Sequence, residues 1–153
     1  MDKPIAIACD AAGFALKQSI IQHLKQQNIV FEDFGSFDDV SNDYPDFAKP
    51  ACDEVASGRF GCALLFCGTG VGMSIAANKV AGIRACCCSD IFSAEMTRRH
   101  NDANVLCLGA RVVGNGLAEK LVDIFLTTPF EGGRHQRRVD KITAIEKAAK
   151  QDF

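Results

Sequence analysis

CALLFCGTGVGMS, residues 62–74, joins a strand, a tight turn and the start of a helix in one short stretch. Residues 62–66 are almost wholly apolar, which is typical of a central parallel strand covered by helices on both faces. Glycines at 68, 70 and 72 predict a turn, and a helix is predicted to start within 70–74 and to run to about Lys79. The stretch therefore predicts one strand-to-helix unit of a parallel α/β sheet.

The rest of the chain repeats this alternation. Apolar runs predict strands at 5–9, 29–34, 84–89 and 105–108, and amphipathic stretches predict helices from residue 13 and at 45–56, 91–100, 116–126 and 134–150. This order is typical of a three-layer αβα Rossmann-like sandwich with a five-stranded parallel sheet, built as a single domain over residues 1–153. The last helix follows Gly132 and Gly133 and is expected to pack on a partner subunit.

The composition excludes several classes of protein. The 153 residues suffice for one domain with a substantial core, and a formal net charge of −2 argues against a general nucleic-acid-binding protein, which would normally be basic. No apolar run is long enough to span a membrane, and residues 1–4 do not resemble a signal peptide. We therefore expect a cytoplasmic protein that binds neither nucleic acid nor membrane.

Eight cysteines are an unusual number for a chain of this length. No Cys-x-x-Cys pair occurs and only three histidines are present, which argues against a structural zinc site, so no metal is expected. A reducing compartment also argues against disulfides. Most of the thiols are therefore predicted to be small buried hydrophobic groups. Cys67 differs, because it stands at the lip of the glycine turn.

The carboxyl ends of the predicted strands carry an acid, a thiol, a hydroxyl group and an arginine. Ligands of open parallel sheets collect at these ends. The side chains that follow strands there are those of Asp10, Cys67, Thr69, Ser89-Asp90 and Arg111. Their convergence on one rim predicts a functional site.

The spacing of the three glycines excludes two nucleotide-binding motifs. The dinucleotide fingerprint Gly-x-Gly-x-x-Gly requires a glycine where this chain has Met73, and no Gly-Lys-Ser/Thr follows to form a P-loop. What remains is a turn whose backbone N–H groups point outward beside a helix N-terminus, an arrangement that stabilises an anion. A thiol at such a place, Cys67, can act as a nucleophile or as a general base.

Several short motifs occur together in a fixed order. They are Asp43-Tyr44-Pro45, the Cys67–Gly72 turn, Ala76-Ala77-Asn78-Lys79, Gly82-Ile83-Arg84, Arg99-His100-Asn101-Asp102, Asn104-Val105, and Glu131-Gly132-Gly133-Arg134-His135-Gln136 with Arg138-Val139. Over nearly the whole chain this combination resembles the type B ribose-5-phosphate isomerases of the ribose/galactose isomerase family.

The resemblance implies an aldose–ketose isomerase that interconverts ribose 5-phosphate and ribulose 5-phosphate and needs no cofactor. Cys67 matches the base that moves a proton between C1 and C2 through a cis-enediolate. Thr69 matches a hydroxyl implicated in ring opening, and His100 matches the residue that assists it. The resemblance further assigns the enediolate nest to Gly68, Gly70 and Gly72, sugar contacts to Asp10, Tyr44 and Asn101, and phosphate binding to Arg111, Arg134 and Arg138.

The resemblance also implies a homodimer with shared active sites, or a tetramer of paired dimers. His100, Asn101 and the C-terminal arginines are expected to face the Cys67 turn of the other chain. Arg134 and Arg138 are four residues apart and so share one helix face, and the planar fork of donors in arginine matches phosphate oxygens. Arg137 is expected to be solvated. His135 and His23 receive no role.

The run after the first strand departs from the family pattern. The typical isomerase has Cys-Asp-His-x-Gly, whereas this chain has Ala11 in the place of the histidine. The loss of an imidazole removes a donor near the substrate and leaves space. Two alternatives therefore stay open: an isomerase of a four- or six-carbon aldose phosphate, such as galactose 6-phosphate or allose 6-phosphate, and a non-catalytic sugar-phosphate-binding protein.

Overall fold

A five-stranded sheet with helices on both faces makes up the computed structural model, which describes residues 3–151. Residues 1–2 and 152–153 of the predicted domain lie outside the described residues. The elements are β1 Ile5–Cys9, α1 Phe14–Gln26, β2 Phe31–Asp33, α2 Tyr44–Ala56, β3 Cys62–Cys67, α3 Val71–Ala77, β4 Ala85–Cys87, α4 Ile91–Asn101, β5 Val105–Gly109, α5 Asn115–Thr127 and α6 Arg134–Gln151. The predicted three-layer αβα sandwich is confirmed.

The strands are all parallel and lie in the order β2-β1-β3-β5-β4. β3 is central and fully buried, which explains its apolar run. The edge strands β2 and β4 have three residues each and are shorter than the predicted 29–34 and 84–89. An edge strand has a hydrogen-bonding neighbour on one side only, so its ladder ends sooner. The chain reverses its direction of winding between β1 and β3, where ligands of such sheets bind.

Two hydrophobic clusters fill the spaces on either side of the sheet. One contains the buried faces of α1, α4 and α5, and the other those of α2 and α3. The cysteines contribute to both clusters: Cys9, Cys52, Cys62, Cys67, Cys88 and Cys107 are buried, Cys86 is half-buried and Cys87 is exposed. The prediction that most thiols serve as small buried hydrophobic groups is confirmed.

The turn after β1 and the end of β3 approach each other very closely. A Cβ atom at Gly13 would lie 2.4 Å from the carbonyl carbon of Phe66. Because no side chain fits there, a glycine is required where α1 begins. This contact brings the residues that follow β1 alongside Cys67.

α6 packs against α4 of the same chain through the face that carries His135 and Val139, both of which are buried. The carboxylate of Glu146 accepts the backbone N–H of Gly82 at 3.0 Å and ties the far part of α6 to the loop before β4. Ile142 and Ile145 stay exposed on this helix, at 45% and 71% of their surface. The packing of α6 on a partner subunit stays a prediction.

No helix within residues 3–151 combines the length and the apolar character that crossing a membrane requires.

A fully buried lysine holds the loop that follows β2. The ammonium group of Lys17 is 0% exposed and donates to Asp33 Oδ1 at 2.7 Å, to Asp33 Oδ2 at 2.8 Å and to the carbonyl of Ser36 at 2.6 Å. The backbone N–H of Ser36 in turn donates to the carbonyl of Cys9 at 2.7 Å. Lys17 therefore fixes the loop against the carboxyl end of β1, beside the predicted site.

We expect Lys17→Met to lower the free energy of unfolding by about 3 kcal/mol, because the partners of a buried charge are left without it. Urea denaturation measures this change. Lys49→Met is the matched control, since Lys49 pairs with Asp53 while 70% exposed, and such a pair contributes about 1 kcal/mol or less. Equal losses in the two variants would contradict the assignment.

Candidate active site

The Cys67 thiol lies at the carboxyl end of the central strand and is only 5% exposed. The backbone N–H of Gly70 donates to Cys67 Sγ at 3.1 Å, so the turn folds back over the sulfur and fixes its position. Thr69 lies at the exposed tip of the turn, and its Oγ1 accepts the N–H of Val71 at 3.3 Å. This bond leaves the hydroxyl proton of Thr69 free to be donated outward.

Gly70 is the residue that lets the turn close. Its φ of +80° lies in the left-handed region, and a Cβ atom there would lie 2.8 Å from Cys87 Sγ and 3.0 Å from the carbonyl carbon of Leu108. Cys87 also donates its thiol to the carbonyl of Thr69 at 3.5 Å. The turn therefore rests directly on Cys87 of the edge strand β4. This support could not be predicted from the sequence, because β4 follows β3 in the chain but β5 lies between them in the sheet.

Two of the predicted binding residues lie against the turn. A Cβ atom at Gly68 would lie 3.2 Å from Arg111 Nη1, and one at Gly72 would lie 2.9 Å from Tyr44 Cζ. The backbone N–H of Arg111 also donates to the carbonyl of Gly68 at 3.0 Å. The guanidinium and the phenol ring thus cover two glycines of the turn that follows Cys67.

The residues after β1 complete this rim. Asp10 Oδ1 accepts the N–H of Gly13 at 2.9 Å, so this carboxylate caps the start of α1 while it lies beside the turn. The N–H of Ala11 donates to Asn42 Oδ1 at 3.1 Å, and Asn42 Nδ2 donates to Ser36 Oγ at 2.8 Å. Sequence reasoning missed Asn42, whose only signal was its place one residue before Asp43-Tyr44-Pro45.

The other predicted site residues lie at the opposite edge of the sheet. α4 runs antiparallel to the strands and ends at Asn101, beside the start of β4. The carbonyl of Asn101 accepts a hydrogen bond from Arg84 Nε at 3.0 Å. His100 is in the same helical turn, and Arg134 and Arg138 belong to the start of α6, which packs beside it. β5 has five residues, so the two edges are about 16 Å apart. One chain therefore does not bring the two groups together.

The group at the amino edge is built around two stacked imidazoles. The rings of His100 and His135 have centroids 4.2 Å apart and planes inclined by 5°. Arg134 Nε donates to His135 Nε2 at 3.3 Å, and Glu131 Oε2 lies 3.5 Å from the same nitrogen. Glu131 also accepts Arg99 Nε at 2.6 Å. Sequence reasoning assigned no role to His135, which is the centre of this group.

Burial and positive neighbours disfavour the charged form of His135. Its side chain is 4% exposed, and burial, followed by the positive charges of His100, Arg134 and Arg138, lowers the pKa of its imidazole below the ordinary 6.5. Its Nδ1 atom has no hydrogen-bond partner within the described residues. A buried nitrogen of this kind is unfavourable for stability, so packing alone does not account for a histidine here.

One group within residues 3–151 has ligand atoms close enough together to hold a metal ion. It consists of His100, Glu131 and His135, whose ligand atoms all lie within 4.8 Å of one another. Arg99, Arg134 and Arg138 flank this group and oppose a cation there. The expectation that the site needs no metal and no cofactor stays a prediction.

The remaining thiols are chemically quiet. Burial raises the pKa of Cys9 to about 11 and the pKa of Cys52 to about 12, so both stay protonated near neutral pH. The pKa of the Cys87 thiol, on the edge strand β4, is also raised because the protein around it removes part of its water. Cys67 differs from these cysteines because it ends the central strand and directly precedes the glycine turn.

Comparisons with known proteins agree with the geometry. The family model described as Ribose/Galactose Isomerase matches residues 5–142. The chain is 50% identical over 145 residues to ribose-5-phosphate isomerase B of Escherichia coli K12, covering 95% of this chain and 97% of that protein. It is 48% identical to a ribose-5-phosphate isomerase B structure from Clostridium thermocellum, with a TM-score of 0.94 and coverage of 95% and 99%. A Mycoplasma genitalium ribose-5-phosphate isomerase B, solved with bound ribulose 5-phosphate, is 45% identical with a TM-score of 0.91 and coverage of 96% and 98%.

The lowered pKa of His135 predicts a loss of stability on acidification. Above pH 6.5 the imidazole is neutral in both the folded and the unfolded chain, and as the pH falls below 6.5 the unfolded chain binds the proton first. The free energy of unfolding should therefore fall with pH through this window. His135→Phe should flatten this part of the curve in urea unfolding measured from pH 8 to 5, whereas His23→Gln, on a separate surface, should leave it in place. Parallel curves for the unmodified chain and His135→Phe would contradict this assignment.

Proposed function

The chain belongs to the ribose/galactose isomerase family, and on this premise we propose that it interconverts ribose 5-phosphate and ribulose 5-phosphate. It is an aldose–ketose isomerase, which sets aside the alternative of a non-catalytic binding protein. The observation that carries the choice of substrate is the Mycoplasma genitalium structure, in which a chain of this fold and 45% identity holds ribulose 5-phosphate.

Cys67 is the proposed general base. Its thiolate removes the proton from C2 of the open-chain aldose. The electron pair of that C–H bond forms the C1–C2 double bond, and the π pair of the C1 carbonyl moves to its oxygen, which gives a cis-enediolate. A proton then passes from the C2 oxygen to the C1 oxygen. A lone pair of the C2 oxygen forms the C2 carbonyl as the C1–C2 π pair takes the proton of the Cys67 S–H at C1, which gives the ketose and restores the thiolate. Atoms and electrons balance within the substrate and one thiol, so no external oxidant or reductant takes part. The fixed position of Sγ beneath the turn supports this role.

The glycine turn is proposed to stabilise the negative charge of the intermediate. The N–H of Gly70 is directed at Cys67 Sγ, so the N–H groups of Gly68 and Gly72 are the proposed donors to the enediolate oxygens. Such a donor contributes about 3 kcal/mol to transition-state stabilisation in enzymes where one has been removed. Tyr44 and Arg111 cover these two glycines, which supports their proposed roles as contacts of the same substrate.

Ring opening and phosphate binding require the second group of residues. His100 is proposed to assist opening of the furanose together with the hydroxyl of Thr69, Asn101 to contact the sugar, and Arg134 and Arg138 to bind the phosphate. These residues and Cys67 lie at opposite edges of one chain, so a complete site requires two chains. We therefore infer a homodimer in which each site combines the Cys67 edge of one chain with the His100 edge of the other.

Ala11 favours a second candidate, an isomerase of another aldose phosphate. The position is half-buried beside the turn, and its backbone is fixed by Asn42. A methyl group there leaves room that an imidazole would occupy. A longer sugar phosphate, such as a six-carbon one, would fit this additional space.

Removal of the proposed base tests the reaction. Cys67→Ala should lower kcat on ribose 5-phosphate by about a hundredfold or more, the usual contribution of a general base, with little change in melting temperature. Cys86→Ala is the control, since Cys86 is half-buried on β4 and points to the face opposite the turn. The same assay run on four-, five- and six-carbon aldose phosphates compares kcat/KM between the two candidates. Normal turnover by Cys67→Ala would refute the base, and a higher kcat/KM on a six-carbon sugar would select the second candidate.

Mixing two inactive variants tests the shared site. Cys67→Ala and His100→Asn should each be nearly inactive alone, and unfolding and refolding them together should restore about a quarter of the unmodified activity. Random pairing makes half of the dimers mixed, and one of the two sites in each mixed dimer is intact. If each site were built from a single chain, both sites of every mixed dimer would carry a defect and no activity would return.

A further inference from the structure

We propose that His135 is a positioning residue of the isomerase site, which orients the ring of His100 and the guanidinium of Arg134 at the same time. This inference rests on the proposed function, in which His100 assists ring opening and Arg134 binds phosphate. It adds a residue that touches neither the sugar nor the reacting atoms in the mechanism above. Its support is the arrangement of the buried His135 ring between these two groups.

The face of the His135 ring contacts His100. The two rings are nearly parallel at 4.2 Å, and His135 is buried while His100 is half-buried. A ring packed against a fixed plane cannot rotate freely about its Cβ–Cγ bond, so the stack holds the nitrogen atoms of His100 in one direction. A group that transfers protons to and from a sugar ring depends on such alignment, and small misplacements reduce catalysis strongly.

The edge of the same ring contacts Arg134. Arg134 Nε donates to His135 Nε2 at 3.3 Å, which makes Nε2 the acceptor and leaves the ring proton on Nδ1. The bond uses Nε of the guanidinium and leaves its Nη groups for phosphate oxygens. One buried imidazole therefore sets the positions of the ring-opening group and of a phosphate ligand relative to each other.

Several ionisable groups surround the His135 ring. The ionisable groups that face it are Arg99 and His100 from α4, Glu131 from the segment before α6, and Arg134 and Arg138 from α6 itself. Burial and the positive neighbours lower the pKa of His135, while Glu131 is shared with Arg99. The lowered pKa disfavours the charged form of His135, and the neutral ring packs beside these positive groups without repulsion.

Two substitutions separate the two contacts. His135→Phe keeps the stacked ring and loses Nε2, so it should raise KM for ribose 5-phosphate about fivefold, the scale of one hydrogen bond, with kcat nearly unchanged. His135→Gln keeps polar atoms and loses the ring, so it should lower kcat about tenfold, less than the loss of a general acid–base group itself. His23→Gln is the control histidine on α1 and should change neither constant. His135→Phe should also melt no lower than the unmodified protein, because it removes the unpartnered Nδ1.

Double-mutant cycles decide between positioning and packing. If His135 acts through its two contacts, the effect of His135→Gln on kcat disappears in a His100→Asn background, and the effect of His135→Phe on KM disappears in an Arg134→Gln background. Effects that multiply independently in both backgrounds would overturn the proposal and leave His135 as a packing residue.

Two measurements without turnover separate this inference from the proposed function. Calorimetry with inorganic phosphate should give a dissociation constant about fivefold higher for His135→Phe, again the scale of one hydrogen bond. NMR relaxation should show a more mobile His100 ring in His135→Gln than in the unmodified protein, because the stacked ring is lost. If both changes occur but ribose 5-phosphate is not isomerised, the function is wrong and the positioning stands. If the protein is an active isomerase and neither change occurs, the positioning role is wrong.

Discussion

The hydrogen bond from the Gly70 N–H to Cys67 Sγ exists only because residue 70 has no side chain. Gly70 has a φ of +80° and lies directly on Cys87, so only a glycine at this position allows the turn after β3 to be this tight. The bond fixes the thiol at the end of the most deeply buried strand, where the backbone cannot shift without disturbing the core. Tyr44 and Arg111 pack on the neighbouring glycines, so their positions depend on the same turn.

A second constraint follows from the parallel direction of all five strands. Each helix returns the chain to the amino edge before the next strand begins, so residues at helix ends and residues at strand ends face opposite edges. Cys67 ends β3, whereas His100 lies in the last turn of α4 and Arg134 begins α6 at the far edge. A catalytic group drawn from both edges requires a neighbouring chain, and the proposed dimer follows from this requirement rather than from any exposed apolar surface.

The sequence predicted the elements well and the contacts between them less well. The apolar run of β3 and the glycines after it are local signals, and both the strand and the turn lie where they were predicted. Cys67, Thr69, Tyr44 and Arg111 were likewise found at the same rim. Cys87, Asn42 and His135 were missed as supports. Each acts on a residue far away in the chain. An exposed thiol, a loop amide and a helix histidine carry no local pattern that distinguishes them from ordinary packing or surface residues.

The sequence by itself determined the alternation of strands and helices, the tight turn at Cys67 and the family motifs, because these depend on spacing within a few residues. Only the tertiary structure decided that β5 lies between β3 and β4, that Cys87 supports Gly70 and that His135 stacks on His100. Those contacts depend on the strand order β2-β1-β3-β5-β4, which differs from chain order. Strand order is set by burial of the whole sheet between two layers of helices, a property that no short stretch of the chain contains.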